Sequence, residues 1–118
     1  MPSTRLPMAK IIFIDNSEPH RFLIQEELGE AGHEVAAASD HEDALLRCGD
    51  LKVDAVILEL RQKNIGWRTF EKLRRQHPGA RFIGYSTFPE CPDQFIQWVD
   101  FYVSKSANMD PLKDLMRA

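Results

Sequence analysis

Five short apolar runs punctuate the chain, and each is followed by a stretch whose apolar residues recur every three or four positions. This repeated change of period constrains the fold most, because a buried strand and an amphipathic helix bury different sets of side chains. "KIIFID" (10–15), "EVAAAS" (34–39), "DAVILEL" (54–60), "RFIGYS" (81–86) and "FYVSK" (101–105) read as strands. Ser17 is placed to cap a first helix with Ile24, Leu28 and Ala31 on one face, and Gly32 to stop it. Asp40 caps a short second helix carrying Ala44, Leu45 and Cys48. A third helix is expected over about 66–77, with Trp67, Phe70 and Leu73 inward and "HPG" ending it. Pro89 and Pro92 confine a fourth to roughly 92–99, and Asp110-Pro111 opens a fifth with Leu112, Leu115 and Met116.

Apolar strands separated by helices belong in an open parallel sheet covered on both faces. Right-handed crossovers then give a doubly wound α/β fold with the flavodoxin-like strand order 2-1-3-4-5. The first and last helices are expected on one face and the other three on the opposite one, with "IIFID", "AVIL" and "FYV" buried between them. At 118 residues the chain suits one such domain. Residues 1–8 read as a disordered leader ahead of a domain spanning 9–118.

No apolar run approaches the ~20 residues that a membrane-crossing helix needs. "MPSTRLP" lacks the apolar centre of a secretory signal, so a cytoplasmic protein is expected. Cys48 and Cys91 lack metal-ligand spacing and read as small apolar side chains rather than a disulfide. His20, His33, His41 and His77 are scattered and read as surface or helix-end residues.

The net charge of −3 hides an asymmetry. Residues 15–54 hold eleven acids against three bases, whereas residues 61–77 hold six bases against Glu71 alone. On a helix, Arg68, Lys72 and Arg75 share one stripe, either a plain solvated face or a docking patch for an acidic partner. An acidic domain without aromatic residues among its bases does not suit nucleic acid.

In doubly wound sheets, functional groups gather at the carboxyl ends of the strands. Those positions hold Asp15 and Asn16 after the first strand, Glu59 after the third, Ser86 and Thr87 after the fourth, and Lys105 after the fifth. The constellation, on elements of this order and spacing, resembles the receiver domain of bacterial two-component response regulators. The resemblance covers residues 9–118. It implies that Glu59 occupies the position of the aspartate that accepts a phosphoryl group from a histidine kinase or small donor. It further implies that Asp15 and Asn16 occupy the acidic pair that, with the acceptor, holds Mg²⁺. Ser86 and Lys105 match the residues that contact the phosphoryl group, and Thr87 takes a position usually small in the family. Tyr102 falls at the family's switch aromatic, although plain packing on the fifth strand accounts for it equally well.

Five positions depart from the family's pattern. Glu59 carries one methylene more than aspartate, which advances its carboxylate by roughly 1.5 Å, and displacements near 1 Å cost on the order of a hundredfold in rate. Asn16 offers a neutral amide where a hard divalent cation favours a carboxylate. Thr87 narrows the approach of a phosphodonor. Lys63 and Trp67 also stand where proline and glycine are common. The resemblance therefore implies a pseudo-receiver: a non-enzymatic signalling module, independent of phosphorylation, with weak or no Mg²⁺ binding. Its partners would be a signalling protein or output domain, a histidine kinase, or a second copy of the chain, with neither nucleic acid nor membrane. Glu59 either mimics the phosphorylated state or forms a residual ion pair with Lys105. The rival readings are an active receiver phosphorylated by a histidine kinase and another flavodoxin-fold enzyme. Against the latter, "DNSEPHR" contains no Gly-rich phosphate loop. For docking, the face bearing Trp98, Phe101 and Tyr102 competes with the basic stripe.

Overall fold

The structure, a computed structural model, describes residues 8–63, 65–106 and 108–117. The expected leader lies outside the described residues except for Met8, whose backbone N–H donates to the Gly32 carbonyl at 3.0 Å. Strands and helices alternate as β1 (Lys10–Ile14), α1 (Glu18–Glu30), β2 (Glu34–Ala38), α2 (His41–Cys48) and β3 (Ala55–Glu59). They continue as α3 (Trp67–Gln76), β4 (Arg81–Ser86), α4 (Asp93–Ile96), β5 (Phe101–Ser104) and α5 (Asp110–Arg117). The sheet has the order β2-β1-β3-β4-β5, and every adjacent pair is parallel.

Alternation along the central strands divides the core into two layers. Ile11, Phe13, Ala55, Ile57, Ile83 and Tyr85 pack against Ile24 and Leu28 of α1 and Leu112 and Met116 of α5. On the opposite face, Ile12, Ile14, Val56, Leu58 and Phe82 meet Ala44 and Cys48 of α2, Phe70 and Leu73 of α3, and Phe95 of α4. Central strands are buried on both sides because helices cover both sides, which is why β3 reads as an unbroken apolar run. Burying each large side chain of this kind contributes about 1.5–3 kcal/mol relative to leaving it exposed.

Local signals set the helix ends. The Ser17 hydroxyl accepts from the N–H of His20, and the Asp40 carboxylate accepts from that of Asp43 at 2.8 Å. After α1 the chain reverses at Gly32 with φ 99°, a left-handed conformation that side chains with a Cβ disfavour.

Four expectations need correction. Trp67 is half exposed rather than inward. As the first residue of α3 it lies at the end of the packed face, and the buried positions of that helix are Thr69, Phe70 and Leu73. The fourth helix is a single turn, Asp93–Ile96, rather than the whole of 92–99. The run "FYV" is not buried: β5 is an edge strand, with Phe101 exposed and Tyr102 and Val103 half-buried. Finally, His77 closes α3 as a helix-end residue, but it and His33 are buried rather than at the surface, and their ring nitrogens have no hydrogen-bond partner among the described residues. Burial pushes both imidazoles below their ordinary pKa, since desolvation disfavours the charged form; Arg117 adds to this at His33, and the Leu51 backbone opposes it at His77.

Candidate functional site

The carboxyl ends of β1, β3, β4 and β5 deliver Asp15, Glu59, Ser86 and Lys105 to one edge of the sheet. Parallel pairing fixes their relative heights, with Glu59 opposite Tyr85 and Ser86 opposite Ser104. The Lys105 N–H donates to the Ser86 carbonyl at 2.6 Å, which extends the β4–β5 ladder by one residue and holds the base of the lysine side chain.

Lys105 is the centre of the cluster. Its Nζ donates to Asp15 Oδ2 at 2.8 Å and forms an ion pair with Glu59 Oε1. Exposure decides what these contacts mean: the side chains of Asp15, Glu59 and Lys105 are 1%, 6% and 10% exposed, so solvent screens them little. The remaining carboxylate oxygens are also engaged. Asp15 Oδ1 accepts from the Ser17 N–H at 2.9 Å. Glu59 Oε2 accepts from Ser86 Oγ at 2.6 Å and from the Arg61 N–H at 2.7 Å. The two buried carboxylates thus share one ammonium and three uncharged donors, so none of their oxygens is left without a hydrogen-bond partner.

The sequence reading brought together Asp15, Glu59, Ser86 and Lys105, and the structure places these four in contact. Asn16 and Thr87 present exposed side chains, and neither hydrogen-bonds to the carboxylates among the described residues. Tyr102 lies beside the cluster rather than in it. Its hydroxyl faces the backbone carbonyls of Ser86 and Phe88, tying β5 to the segment after β4. Burial raises the Tyr102 phenol above its ordinary pKa, with the charges of Cys91 and Glu59 adding to the effect.

Several contributors were missed. The Arg61 donor is a backbone group, invisible to residue type, and Gln62 anchors the same turn by donating to the Glu59 carbonyl at 2.7 Å. His20, read as a surface residue, brings Nδ1 to 3.2 Å from Lys105 Nζ and 3.6 Å from Asp15 Oδ2. Its place on the first turn of α1, directly after the first strand end, was the available signal. Arg21 donates to the Asp15 carbonyl at 2.8 Å. Tyr85 lies beneath the ammonium, 5.4 Å from Nζ to the ring centroid. Burial raises the Tyr85 phenol, and Asp15 and Glu59 reinforce the shift.

These residues do not fit a Mg²⁺ ion as they stand. Magnesium requires several oxygens in near-octahedral array, whereas the four carboxylate oxygens here already accept from Lys105, Ser17, Ser86 and Arg61. The Lys105 ammonium occupies the position between the two carboxylates, and Asn16 adds no charge. No group of three acidic, histidine or cysteine side chains is arranged to hold a metal ion among the described residues.

The fold is that of response-regulator receiver domains. The response regulator TrrA of Thermotoga maritima, solved in complex with Mg²⁺–BeF, is 29% identical and superposes with a TM-score of 0.80, covering 92% of this chain and 96% of that one. The same regulator solved with the histidine kinase ThkA is 28% identical over 92% of this chain and 95% of that one, with a TM-score of 0.75. A chemotaxis response regulator of Vibrio cholerae shares the fold at 24% identity and a TM-score of 0.76, over 93% of this chain and 98% of that one. No protein-family model matches the sequence, and no curated protein matches it.

Proposed function

We propose that this domain is an atypical receiver, a pseudo-receiver, which acts in signal transduction through protein–protein contacts and independently of phosphorylation. The observation that carries this reading is the engagement of both Glu59 carboxylate oxygens, by Lys105 on one and by Ser86 and the Arg61 N–H on the other. A carboxylate nucleophile needs a lone pair free to meet phosphorus. Here three of the four lone pairs are engaged in charge-assisted hydrogen bonds in a buried site, which draw electron density from both oxygens and fix their orientation. The longer side chain of Glu59 shifts the attacking oxygen, and Asn16 supplies a neutral amide where the receiver pattern has a further carboxylate for the cation that would align a donor. The domain is therefore not an enzyme on this reading, and it needs no cofactor. Thr87, exposed and next in sequence to Ser86, stands where the receiver pattern has a small residue and on this reading narrows the approach of a donor.

The second reading is an active receiver phosphorylated by a histidine kinase. It is favoured by the similar regulator TrrA having been solved with its kinase. Incubation with acetyl phosphate and Mg²⁺, followed by intact-mass measurement, separates the two. The expected result is no mass increase for the protein as it stands, nor for Glu59→Asp alone. An adduct appears once Asn16→Asp and Thr87→Ala are added to Glu59→Asp. An adduct on the unaltered protein that disappears in Glu59→Gln would overturn the pseudo-receiver reading.

A further inference from the structure

Away from the strand ends, a groove of about 450 Å³ runs between the start of α3 and the single turn of α4. Its walls are Ile65, Trp67, Phe95 and Trp98, with Gln94 and Gln97 on the rim. Both tryptophans of the chain line it. Trp98 is anchored from below, stacked on Phe70 at 6.3 Å, while Trp67 stands half exposed. An indole left in water beside an apolar cleft is a common anchor of protein interfaces.

The helix that begins at the groove carries cations on its exposed face. Arg68, Lys72 and Arg75 are all exposed, and none forms a salt bridge among the described residues. Arg74, the fourth base of the helix, is committed inward instead, donating to the Trp98 carbonyl at 2.7 Å. The free stripe rises over seven residues, about 10 Å of helix. In a chain of net charge −3, a helix that gathers exposed cations outside any salt bridge among the described residues, with Arg68 lying over the Trp67 ring at 5.2 Å, has a specific electrostatic complement.

We propose that this groove docks an acidic amphipathic helix of a partner protein. Carboxylates at i, i+4 and i+7 of that helix meet Arg68, Lys72 and Arg75, and its apolar side chains cover Trp67 and enter between Phe95 and Trp98. The assignment rests on the reading of the domain as a module that signals through contacts, and it names the surface and the chemistry of the partner. It also connects the surface to the strand ends, because Ile65 and Gly66 close the same β3–α3 connection whose Arg61 and Gln62 hold Glu59.

The test uses the whole chain and four probes: a capped helical peptide with glutamates at i, i+4 and i+7 beside a leucine face, its lysine-for-glutamate counterpart, polyglutamate, and single-stranded DNA of matched charge. Tryptophan emission reports the groove directly, and calorimetry gives affinity. The acidic amphipathic peptide binds saturably with a blue shift, and the other three bind at least about tenfold more weakly because they lack either the charge or the apolar face. Trp67→Ala weakens binding about tenfold. The combined reversal Arg68→Glu, Lys72→Glu, Arg75→Glu weakens it by about tenfold or more and admits the lysine peptide instead. Raising salt from about 50 to about 300 mM lowers affinity several-fold. Failure of saturable binding, equal binding of polyglutamate or DNA, or an unchanged affinity in the triple reversal overturns the proposal. So does sedimentation showing the groove filled by a second copy, with dissociation on the same reversal. Intact mass after acetyl phosphate is read on the same samples. An adduct with groove binding intact overturns only the pseudo-receiver reading; no adduct and no binding overturns only the groove.

Discussion

Replacing Lys105 by methionine keeps most of the side-chain length and removes the one ammonium between Asp15 and Glu59. At 2.8 Å from Asp15, the Coulomb attraction of one such pair is about 6 kcal/mol at an effective dielectric of about 20. Desolvation of both ions already offsets much of that in the intact protein, and breaking a buried pair by removing one partner costs about 3–5 kcal/mol. The remaining donors soften the loss here, since Glu59 keeps Ser86 and the Arg61 N–H and Asp15 keeps the Ser17 N–H. The expected destabilisation is therefore about 2–3 kcal/mol at neutral pH. With a urea m-value of about 1.5 kcal/mol/M, the midpoint falls by about 1.3–2 M. Equilibrium unfolding by circular dichroism measures it, and a double-mutant cycle with Glu59→Gln isolates the pair. The amide introduced by that substitution keeps an acceptor for Ser86 while removing one of the two stranded anions, so the double variant should recover about 1 kcal/mol over Lys105→Met. A Lys105→Met midpoint within experimental error of the parent, or strictly additive effects in the cycle, would refute the reasoning.

Acid should destabilise the domain through His33 and His77, whose folded pKa values are depressed by burial. Their contribution is complete above the unfolded value near 6.5 and is lost as pH falls below it, because the unfolded chain then binds protons that the fold refuses. Urea midpoints at several pH values should decline below that point, and His77→Leu should flatten part of the decline. Alkali acts through the two raised phenols, Tyr85 and Tyr102. Their contribution is whole below the ordinary value near 10 and lost as pH rises above it, so phenolate absorbance should lag that of a model tyrosine until unfolding. Gly32→Ala places a Cβ on backbone with φ 99°, and should cost about 1–2 kcal/mol in thermal or urea unfolding. Tyr102→Phe deletes the link to the Ser86 and Phe88 carbonyls, and should cost about 1 kcal/mol while speeding amide exchange in the segment after β4.

The order of the strands was legible because two independent signals coincide, the apolar runs and the helical spacing between them, and because few topologies connect parallel strands with right-handed crossovers. The same logic located Asp15, Glu59, Ser86 and Lys105, since strand ends in such a sheet share one edge. Errors arose where local pattern and tertiary position disagree. Phe101, Tyr102 and Val103 look like a core strand, but β5 is last in the sheet and has only one neighbour. Trp67 carries the helical spacing of Phe70 and Leu73, yet lies at the start of α3 where the packed face ends. His33 and His77 gave no sequence signal of burial, because a neutral imidazole packs like an apolar ring once the surrounding fold excludes water. The Arg61 and Ser17 donors are backbone groups, and residue types carry no record of where a main-chain N–H points. Gly84 illustrates the same limit. A Cβ there would lie 3.0 Å from Leu60 and 3.2 Å from the Tyr102 ring, so this glycine admits the tyrosine against β4.

The ammonium between Asp15 and Glu59 differs from a dissolved cation in one thermodynamic respect: it is tethered. An ion that binds the native state from solution stabilises it by an amount that grows with the logarithm of its concentration. A lysine on the same chain has no such chemical potential to vary. It is present once per molecule, in dilute or concentrated surroundings, with or without chelators. The positive charge that Lys105 brings to this sheet edge is accordingly supplied by the chain itself, in fixed ratio to Asp15 and Glu59.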